Sequence, residues 1–205
     1  VWYGGAEGDD RRPLATRAEP WASVQRAVNA ARPGDTIVVL PGVYAGARLE
    51  RSGAPGLPIV LQAEGGVALR GPGPDNRHGS VLEIETFAAP GVVSDWVIRG
   101  LRIEGAARHG IDARSTQRLT LQSNTVERSR LTGIFTAFSY DLLVEGNRCA
   151  GNGEHGIYHN NSSDRFTIRG NVACSNACAG IHLNGDAAVP PPPGSPWTHD
   201  GVLSE

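Results

Sequence analysis

Four consecutive segments of the chain begin with the dipeptide Gly-Ile. They read GIDARSTQRLTLQSNTVERSRLT (110–132), GIFTAFSYDLLVEGNRCAGNGEH (133–155), GIYHNNSSDRFTIRGNVACSNACA (156–179) and GIHLN (180–184). The period of this repeat is about 23 residues. A second column, formed by Asn124, Asn147 and Asn171, keeps the same period. Two columns with one period indicate a repeat protein whose units stack on one another.

Each repeat contains short alternating apolar segments broken by Gly, Asn or Ser, such as residues 119–121 and 166–168. None contains a long helical apolar stripe. Three strands and three turns fit about 23 residues, and units stacked about 4.8 Å apart form three parallel sheets. Leucine-rich repeats share the period, but their Leu-x-x-Leu-x-Leu spacing is absent. The sequence predicts an all-β fold, a right-handed parallel β-helix (a three-sheet solenoid) with coils of about 23 or 24 residues.

The asparagine column has a structural interpretation. An Asn at the same turn of successive coils can donate its amide to the Asn carbonyl of the next coil, which satisfies turn backbone that would otherwise be buried unpaired. We therefore expect a ladder through the three Asn residues.

The N-terminal part differs from the repeats. Residues 20–31 have the apolar pattern of an amphipathic helix that begins near Pro20 and ends at Arg32-Pro33-Gly34. The first coil of a β-helix exposes an apolar end and a free strand edge, and such a helix can cover both. We expect an N-terminal capping helix with Trp21, Val24, Val28 and Ala31 on its buried face.

The whole chain, residues 1–205, is expected to form a single β-helix domain. Its parts are an N-terminal segment with the cap helix (1–35), irregular first coils (36–95), regular coils (96–185), and a Pro-rich loop with the start of a further coil (186–205). His199 and Asp200 fall in that last part and are given no role. No capping helix follows, so we expect a continuation of the chain or a partner subunit to cover this end.

Composition excludes several classes of function. The net charge is −2 and there is no basic run, so the sequence has no electrostatic signature of nucleic-acid binding. No apolar stretch approaches the length of roughly 18 residues that a membrane-spanning helix needs, which excludes a membrane span. The chain contains no Lys, so all 19 of its Lys and Arg residues are Arg and a lysine base is excluded.

Several motifs near the N-terminus resemble the opening of the pectate-lyase-like β-helix proteins, in particular the branch with alginate lyases and chondroitinase B. They are residues 33–37 (PGDTI), 41–44 (PGVY), 52–59 (SGAPGLPI) and 62–63 (QA). The repeats are also similar to the carbohydrate-binding and sugar-hydrolase repeats of periplasmic β-helix proteins. The resemblance implies a secreted or periplasmic protein, bacterial in origin, that acts on a polysaccharide. It leaves Ca²⁺ open as a bound ion, but the lysine base of that branch cannot be carried over.

Enzymes of this fold work mostly on the outer face of the sheet that would contain the Gly-Ile strands. With each Ile pointing inward, the next residue points outward, which gives the column Asp112, Phe135, Tyr158 and His182. A second outward column is Arg114, Ala137, Asn160 and Asn184, and His109 and His155 precede the glycines. Tyr158 and His182 would be neighbours about 5 Å apart.

This pattern suits removal of the proton next to a uronate carboxylate, with Tyr158 and His182 as the catalytic pair. The candidate substrate-binding residues are Arg114, Phe135, His155, Asn160 and Asn184. Arg114 or Arg165 would hold an anionic sugar in a bidentate manner. The predicted function is lyase or epimerase chemistry on a uronate-containing polysaccharide. The alternatives are a non-catalytic carbohydrate-binding module and a purely structural domain.

Other polar residues are interpreted as structural. Asp112 is a lone carboxylate in its column and cannot build a calcium site by itself, and Asp141 and Asp164 are expected to start strands. Cys174 and Cys178 lack partners at zinc-site spacing, so no metal site is predicted. Cys149 and Cys174 are separated by slightly more than one coil, which suits a disulfide between neighbouring coils, with Cys174–Cys178 as the competing pair.

Overall fold

The fold was analysed in a computed structural model, which describes residues 1–85, 91–161 and 163–185, and the backbone alone of residues 201–204. Within these residues, twenty β-strands, numbered along the chain, form three parallel sheets in which each strand pairs with the strand one coil away. This confirms the predicted parallel β-helix of three sheets.

The three sheets are named A, B and C. Sheet A contains β1 (Trp2–Gly4), β2 (Thr36–Val39), β5 (Ile59–Ala63), β8 (Val93–Arg99), β11 (Thr116–Gln122), β14 (Tyr140–Glu145), β17 (Asp164–Arg169) and β20 (Gly201–Ser204). Sheet B contains β3 (Gly42–Tyr44), β6 (Val67–Arg70), β9 (Arg102–Glu104), β12 (Thr125–Glu127), β15 (Arg148–Ala150) and β18 (Val172–Cys174). Sheet C contains β4 (Ala47–Leu49), β7 (Leu82–Ile84), β10 (Ile111–Arg114), β13 (Ile134–Ala137), β16 (Ile157–Asn160) and β19 (Ile181–Asn184).

The Gly-Ile repeat lies at the start of the later strands of sheet C. Ile111, Ile134, Ile157 and Ile181 pair in register, and the first three are fully buried. The preceding glycine is required by space, because a Cβ on Gly133 would lie 2.6 Å from the carbonyl oxygen of the next coil. The period of the sequence is therefore the period of the inward-facing core.

The asparagines link the turns between sheets A and B. The side-chain amide of Asn124 donates to Oδ1 of Asn147 at 3.1 Å, and that of Asn147 donates to Oδ1 of Asn171 at 3.0 Å. A second ladder, which the sequence did not reveal, joins Asn152 to Asn176 at 2.9 Å in the turn between sheets B and C. Two of the three corners of the β-helix are thus held by side-chain amides.

The N-terminal helix is shorter than predicted. Helix α1 spans Val24–Ala30 and begins after Ser23, whose hydroxyl accepts a hydrogen bond from the Arg26 backbone N–H. The predicted start at Pro20 is wrong, because Ser23 provides the N-cap. Trp21 precedes the helix, forms a bridge with Gly4 and is almost fully buried.

The helix covers the free edge of sheet C. At the first strand of this sheet, β4, the Arg48 N–H donates to the Gln25 side-chain oxygen at 2.8 Å. The Gln25 amide in turn donates to the Arg48 carbonyl at 3.0 Å. One helical side chain therefore replaces the missing neighbouring strand at this position, which is the capping role that the sequence predicted.

The predicted disulfide between Cys149 and Cys174 is wrong. Cys149 lies opposite Ala173 in sheet B, and Cys174 lies opposite Ala150. Because side chains alternate between the faces of a strand, Cys149 points into the core and Cys174 points outward. All three cysteines, including Cys178, are free thiols, and burial raises the pKa of Cys149 to about 12.

Most of the C-terminal part, including His199 and Asp200, lies outside the described residues. Strand β20 pairs with β17 and adds one more strand to sheet A. The one helix of the described residues is far too short to cross a membrane.

The first testable prediction concerns the asparagine ladder. Substitution Asn147→Ala should lower the free energy of unfolding by about 2–4 kcal/mol, because it leaves the buried Asn124 N–H and the Leu121 carbonyl without their side-chain partner. Asn29→Ala, at an exposed position on α1, should change it by less than about 1 kcal/mol. Urea denaturation of both variants is the measurement, and equal losses would contradict a structural role of the ladder.

The second prediction concerns His159, which is buried with its Nδ1 2.6 Å from the Thr136 hydroxyl. Burial lowers its pKa from 6.5 to about 4. Below pH 6.5 the unfolded chain therefore binds a proton that the folded protein does not, and stability falls as the pH falls towards 4.

From pH 7.5 to pH 5, this one group should remove about 2 kcal/mol of stability. The measurement is the change in urea midpoint between the two pH values for the wild type and for His159→Gln. The difference between the two proteins isolates His159 from other titrating groups. An identical pH dependence would contradict the assignment.

Candidate functional site

The outward face of sheet C has two in-register columns of side chains. The first runs Arg48, Glu83, Asp112, Phe135, Tyr158 and His182. The second contains Arg114, Ala137, Asn160 and Asn184. The structure therefore brings the predicted site residues onto one continuous face, and it extends the first column towards the N-terminus.

Three rings meet in the C-terminal half of this face. The ring centroids of Tyr158 and His182 are 4.7 Å apart, close to the predicted separation. His155 reaches in from the turn before β16, with centroids 5.1 Å from Tyr158 and 4.6 Å from His182. All three side chains are half-buried, so each retains a surface that a ligand can reach.

Two amides border these rings. The Asn184 amide nitrogen donates to the Tyr158 hydroxyl at 3.2 Å and to Oδ1 of Asn160 at 3.1 Å. Asn184 is exposed and Asn160 is half-buried. These groups are neutral and can stabilise a developing negative charge without altering the charge of the site.

The hydrogen bonding of His155 fixes which nitrogen faces a ligand. Its Nδ1 accepts the backbone N–H of Ala179 at 3.2 Å, so a neutral imidazole carries its proton on Nε2. Burial, and then the neighbouring His182, lowers the pKa of His155. His155 is therefore a neutral hydrogen-bond donor, which fits the predicted substrate-binding role better than that of a base.

The N-terminal half of the face is charged and more deeply buried. Arg114 donates from Nε to Asp112 Oδ1 at 2.7 Å and from NH2 to Oδ2 at 3.3 Å, and its guanidinium lies 5.0 Å from the Phe135 ring centre. Phe135 also makes an edge contact with Tyr158 at 5.5 Å. Nε and NH2 of Arg114 are therefore already paired with Asp112, and the prediction that Arg114 holds a sugar carboxylate depends on its remaining N–H donors.

Sequence reasoning missed the carboxylates beside Asp112. Glu83 lies next to Asp112 in register, so Asp112 is not alone in its column. Glu85 follows on the same face, and burial together with the charge of Asp112 raises its pKa to about 7. The alternation Glu83-Ile84-Glu85 was a visible signal. It was missed because an insertion makes the step from Leu82 to its partner Ile111 longer than one repeat period.

These carboxylates do not fit a calcium site. Glu83 accepts the backbone N–H groups of Arg77 and His78, each at 2.7 Å. Asp112 accepts from Arg114 and from the Ser80 hydroxyl. Calcium needs six to eight oxygen ligands, and the carboxylate oxygens of Glu83 and Asp112 already accept hydrogen bonds. Within the described ranges, no group of three or more His, Cys, Asp or Glu side chains is arranged to bind a metal.

Comparison with known proteins identifies the family to which this fold belongs. The sequence model of a family described as a right-handed β-helix region matches residues 85–190. The chain belongs to this right-handed β-helix family. A search of curated proteins finds no match.

Solved structures share the right-handed β-helix. Pectate lyase Pel9A is 15% identical with a TM-score of 0.62, over 98% of this chain and 60% of that one. The AlgE4 A-module, a mannuronan C-5 epimerase of Azotobacter vinelandii, is 19% identical with a TM-score of 0.53, over 77% of this chain and 54% of that one. An alginate lyase of Paenibacillus sp. str. FPU-7 is 20% identical with a TM-score of 0.58, over 88% of this chain and 71% of that one.

These identities establish a common fold. The chain spans less than two thirds of the pectate lyase and of the epimerase module.

Two residues that the sequence analysis placed near the site on sheet C have a different environment in the structure. Arg165 belongs to β17 of sheet A and not to sheet C, and it pairs with Asp141 at 2.6 Å. Its contact with an anionic sugar stays a prediction. His109 is buried against Phe135 with ring centroids 4.6 Å apart. Burial lowers its pKa to about 4, which leaves it neutral at physiological pH.

The third prediction tests the charged half of the β-helix face. Asp112→Asn should lower the free energy of unfolding by roughly 2 kcal/mol, because it leaves Arg114 without the ionised partner that is fully buried beneath it. The matched variant is Asp141→Asn, which breaks the more exposed pair with Arg165 and should cost less than about 1 kcal/mol. Thermal denaturation compares the two, and a larger loss for Asp141→Asn would contradict this interpretation.

Proposed function

We propose that this chain is a polysaccharide-active β-helix protein that carries out lyase or epimerase chemistry on a uronate-containing chain, on the outward face of sheet C. The observation that carries the proposal is the mutual contact of Tyr158, His182 and His155, with the Asn160 and Asn184 amides beside them. We further propose that the protein works outside the cytoplasm, where long polysaccharides are met.

The proposed reaction begins with removal of the proton on C5 of a uronate, next to its carboxylate. Imidazole exchanges a proton readily near neutral pH, so we assign His182 as the base. The electron pair left on C5 delocalises into the carboxylate, where the Nε2–H of His155 and the Asn160 amide donate to the growing charge.

Two outcomes follow from this intermediate. In a lyase, the electron pair forms a C4–C5 double bond, the C4–O bond breaks, and the leaving oxygen receives a proton from the Tyr158 hydroxyl. In an epimerase, the C4–O bond stays intact and C5 receives a proton from the Tyr158 hydroxyl on the opposite face. Both begin with the same proton removal, and both are compatible with a chain that has no lysine.

The structural neighbours support the substrate class. Three of them are named as a pectate lyase, an alginate lyase and a mannuronan C-5 epimerase. Their sequence identity to this chain is low, so the support for the reaction itself comes from the chain's own residues.

The alternative candidate is a non-catalytic carbohydrate-binding module. The observation in its favour is the row of rings formed by Phe135, Tyr158 and His182 on adjacent strands, with edge and tilted contacts along the row. Such a row gives a sugar chain an apolar surface without any chemical step. Loss of turnover with retained binding in site variants separates the two candidates.

The fourth prediction is a β-elimination assay with polygalacturonate, alginate and chondroitin sulfate. Absorbance at about 235 nm should rise, since elimination creates a conjugated double bond, and Tyr158→Phe and His182→Ala should each lower the rate about 100-fold or more. The matched control is Tyr140→Phe on sheet A, which should retain the wild-type rate.

The epimerase outcome is tested in the same samples. In D₂O, deuterium should appear at C5 of the polymer without a rise in absorbance. The absence of both signals on all three polymers would contradict enzymatic chemistry on these substrates. Binding that persists in that case would favour the carbohydrate-binding module.

A further inference from the structure

The outward face of sheet B contains a cluster of arginines that the sheet C site does not use. Arg102 and Arg148 belong to one outward column, with Thr125 between them in register. Arg70 lies in the neighbouring column, and Arg128 follows the end of β12. The side chains of these four arginines are between 51% and 59% exposed.

A buried carboxylate organises this cluster. Glu104 is 3% exposed, and its Oε1 lies 2.5 Å from Nε of Arg70. Its other oxygen contacts Arg128 and lies 3.6 Å from Nε of Arg102. Three guanidinium groups are thus held around one carboxylate, which reduces the side-chain entropy that they would lose when they bind an anion.

A second carboxylate contacts two of these arginines and also Arg148. Glu127 lies 3.1 Å from Arg102, 3.3 Å from Arg128 and 3.9 Å from Arg148. Four arginines therefore surround two glutamates, so the cluster has a net charge of +2 in a chain whose total charge is −2. Each guanidinium has five N–H donors, and two carboxylates cannot accept all of them.

A groove of about 540 Å³ runs beside the arginines across three successive coils. Small residues such as Ala68 and Thr125 lie along it between the arginine side chains. Arg70, Arg102 and the buried Glu104 also line it. The concave surface and the positive charge lie on the same face of the solenoid.

We propose that this face of sheet B is a second, non-catalytic binding surface for a carboxylate-bearing polysaccharide, separate from the sheet C site. Arg102 and Arg148 lie two coils apart, about 10 Å, which lets one polymer chain present two carboxylates to them. The inference rests on the proposed function for its ligand class. It adds a surface that would keep the polymer on the protein between reaction events.

The test uses the double variant Arg102→Gln/Arg148→Gln. The buried Glu104 keeps its two closest partners, Arg70 and Arg128, in this variant, so the loss of Arg102 and Arg148 should leave the fold intact. The matched control is Arg99→Gln/Arg169→Gln on sheet A, which removes the same charge from two exposed arginines. Thermal denaturation of all proteins checks that they are folded.

Affinity electrophoresis measures binding to polygalacturonate, alginate, neutral dextran and single-stranded DNA. The sheet B variant should bind the polyuronates about 10-fold more weakly, and the control variant should bind like the wild type. The wild type should not bind dextran. Wild-type binding to the polyuronates should weaken with added salt, and less steeply in the sheet B variant.

Several results would overturn the inference. These are unchanged polyuronate binding in the sheet B variant, an equal loss in the control, tighter binding to DNA than to either polyuronate, or no polyuronate binding by the wild type. Tyr158→Phe separates this inference from the proposed function. If the wild type turns over a polyuronate and the sheet B variant binds it as tightly as the wild type does, only the second surface is rejected. If the sheet B variant loses binding, the control keeps it and the wild type turns over none of the polymers, only the sheet C chemistry is rejected.

Discussion

In-register stacking of parallel coils is the constraint on which the rest of this molecule depends. Each residue of a strand lies above its counterpart one coil away. A residue type that recurs with the period of the repeat therefore forms a continuous column along the axis. Inward positions become the continuous isoleucine column of sheet C, and turn positions become the ladder from Asn124 to Asn171. Outward positions become rows of neighbouring side chains on which a linear polymer can lie.

The same constraint explains why sheet C changes character along its length. Towards the N-terminus the first column contains Glu83 and Asp112, whose oxygens are occupied by backbone N–H groups, Ser80 and Arg114. Towards the C-terminus it contains Tyr158 and His182, which contact each other and remain half-buried. The first half stabilises the face, and the second half has the groups that can donate or accept a proton.

Sequence periodicity was sufficient for the fold and for the composition of the sheet C columns, because both follow from spacing alone. It was insufficient where a residue's role depends on a contact across irregular spacing. Glu83 and Glu85 were missed because an insertion separates their coil from the next one. Arg114 was predicted to bind the substrate because residue spacing does not show that its guanidinium already pairs with Asp112.

Cys149 and Cys174 show the same limit at the scale of one residue. Their separation of about one coil suits a disulfide, but a shift of one residue in register puts them on opposite faces of sheet B. The start of α1 was placed too early for a related reason. The hydroxyl of Ser23 caps the helix, whereas the apolar pattern that predicted its extent also includes the extended residue Trp21.

The central claim is that a uronate chain lies on the outward face of sheet C, with a carboxylate at His155 and Asn160. A crystal structure of Tyr158→Phe with an acidic oligosaccharide tests it most directly, since this variant should bind without turnover. The account predicts a sugar carboxylate within hydrogen-bond distance of His155 Nε2 and a C5 atom facing His182. A sugar chain bound only at sheet B, or bound to sheet C with its carboxylates facing away from His155, would contradict it.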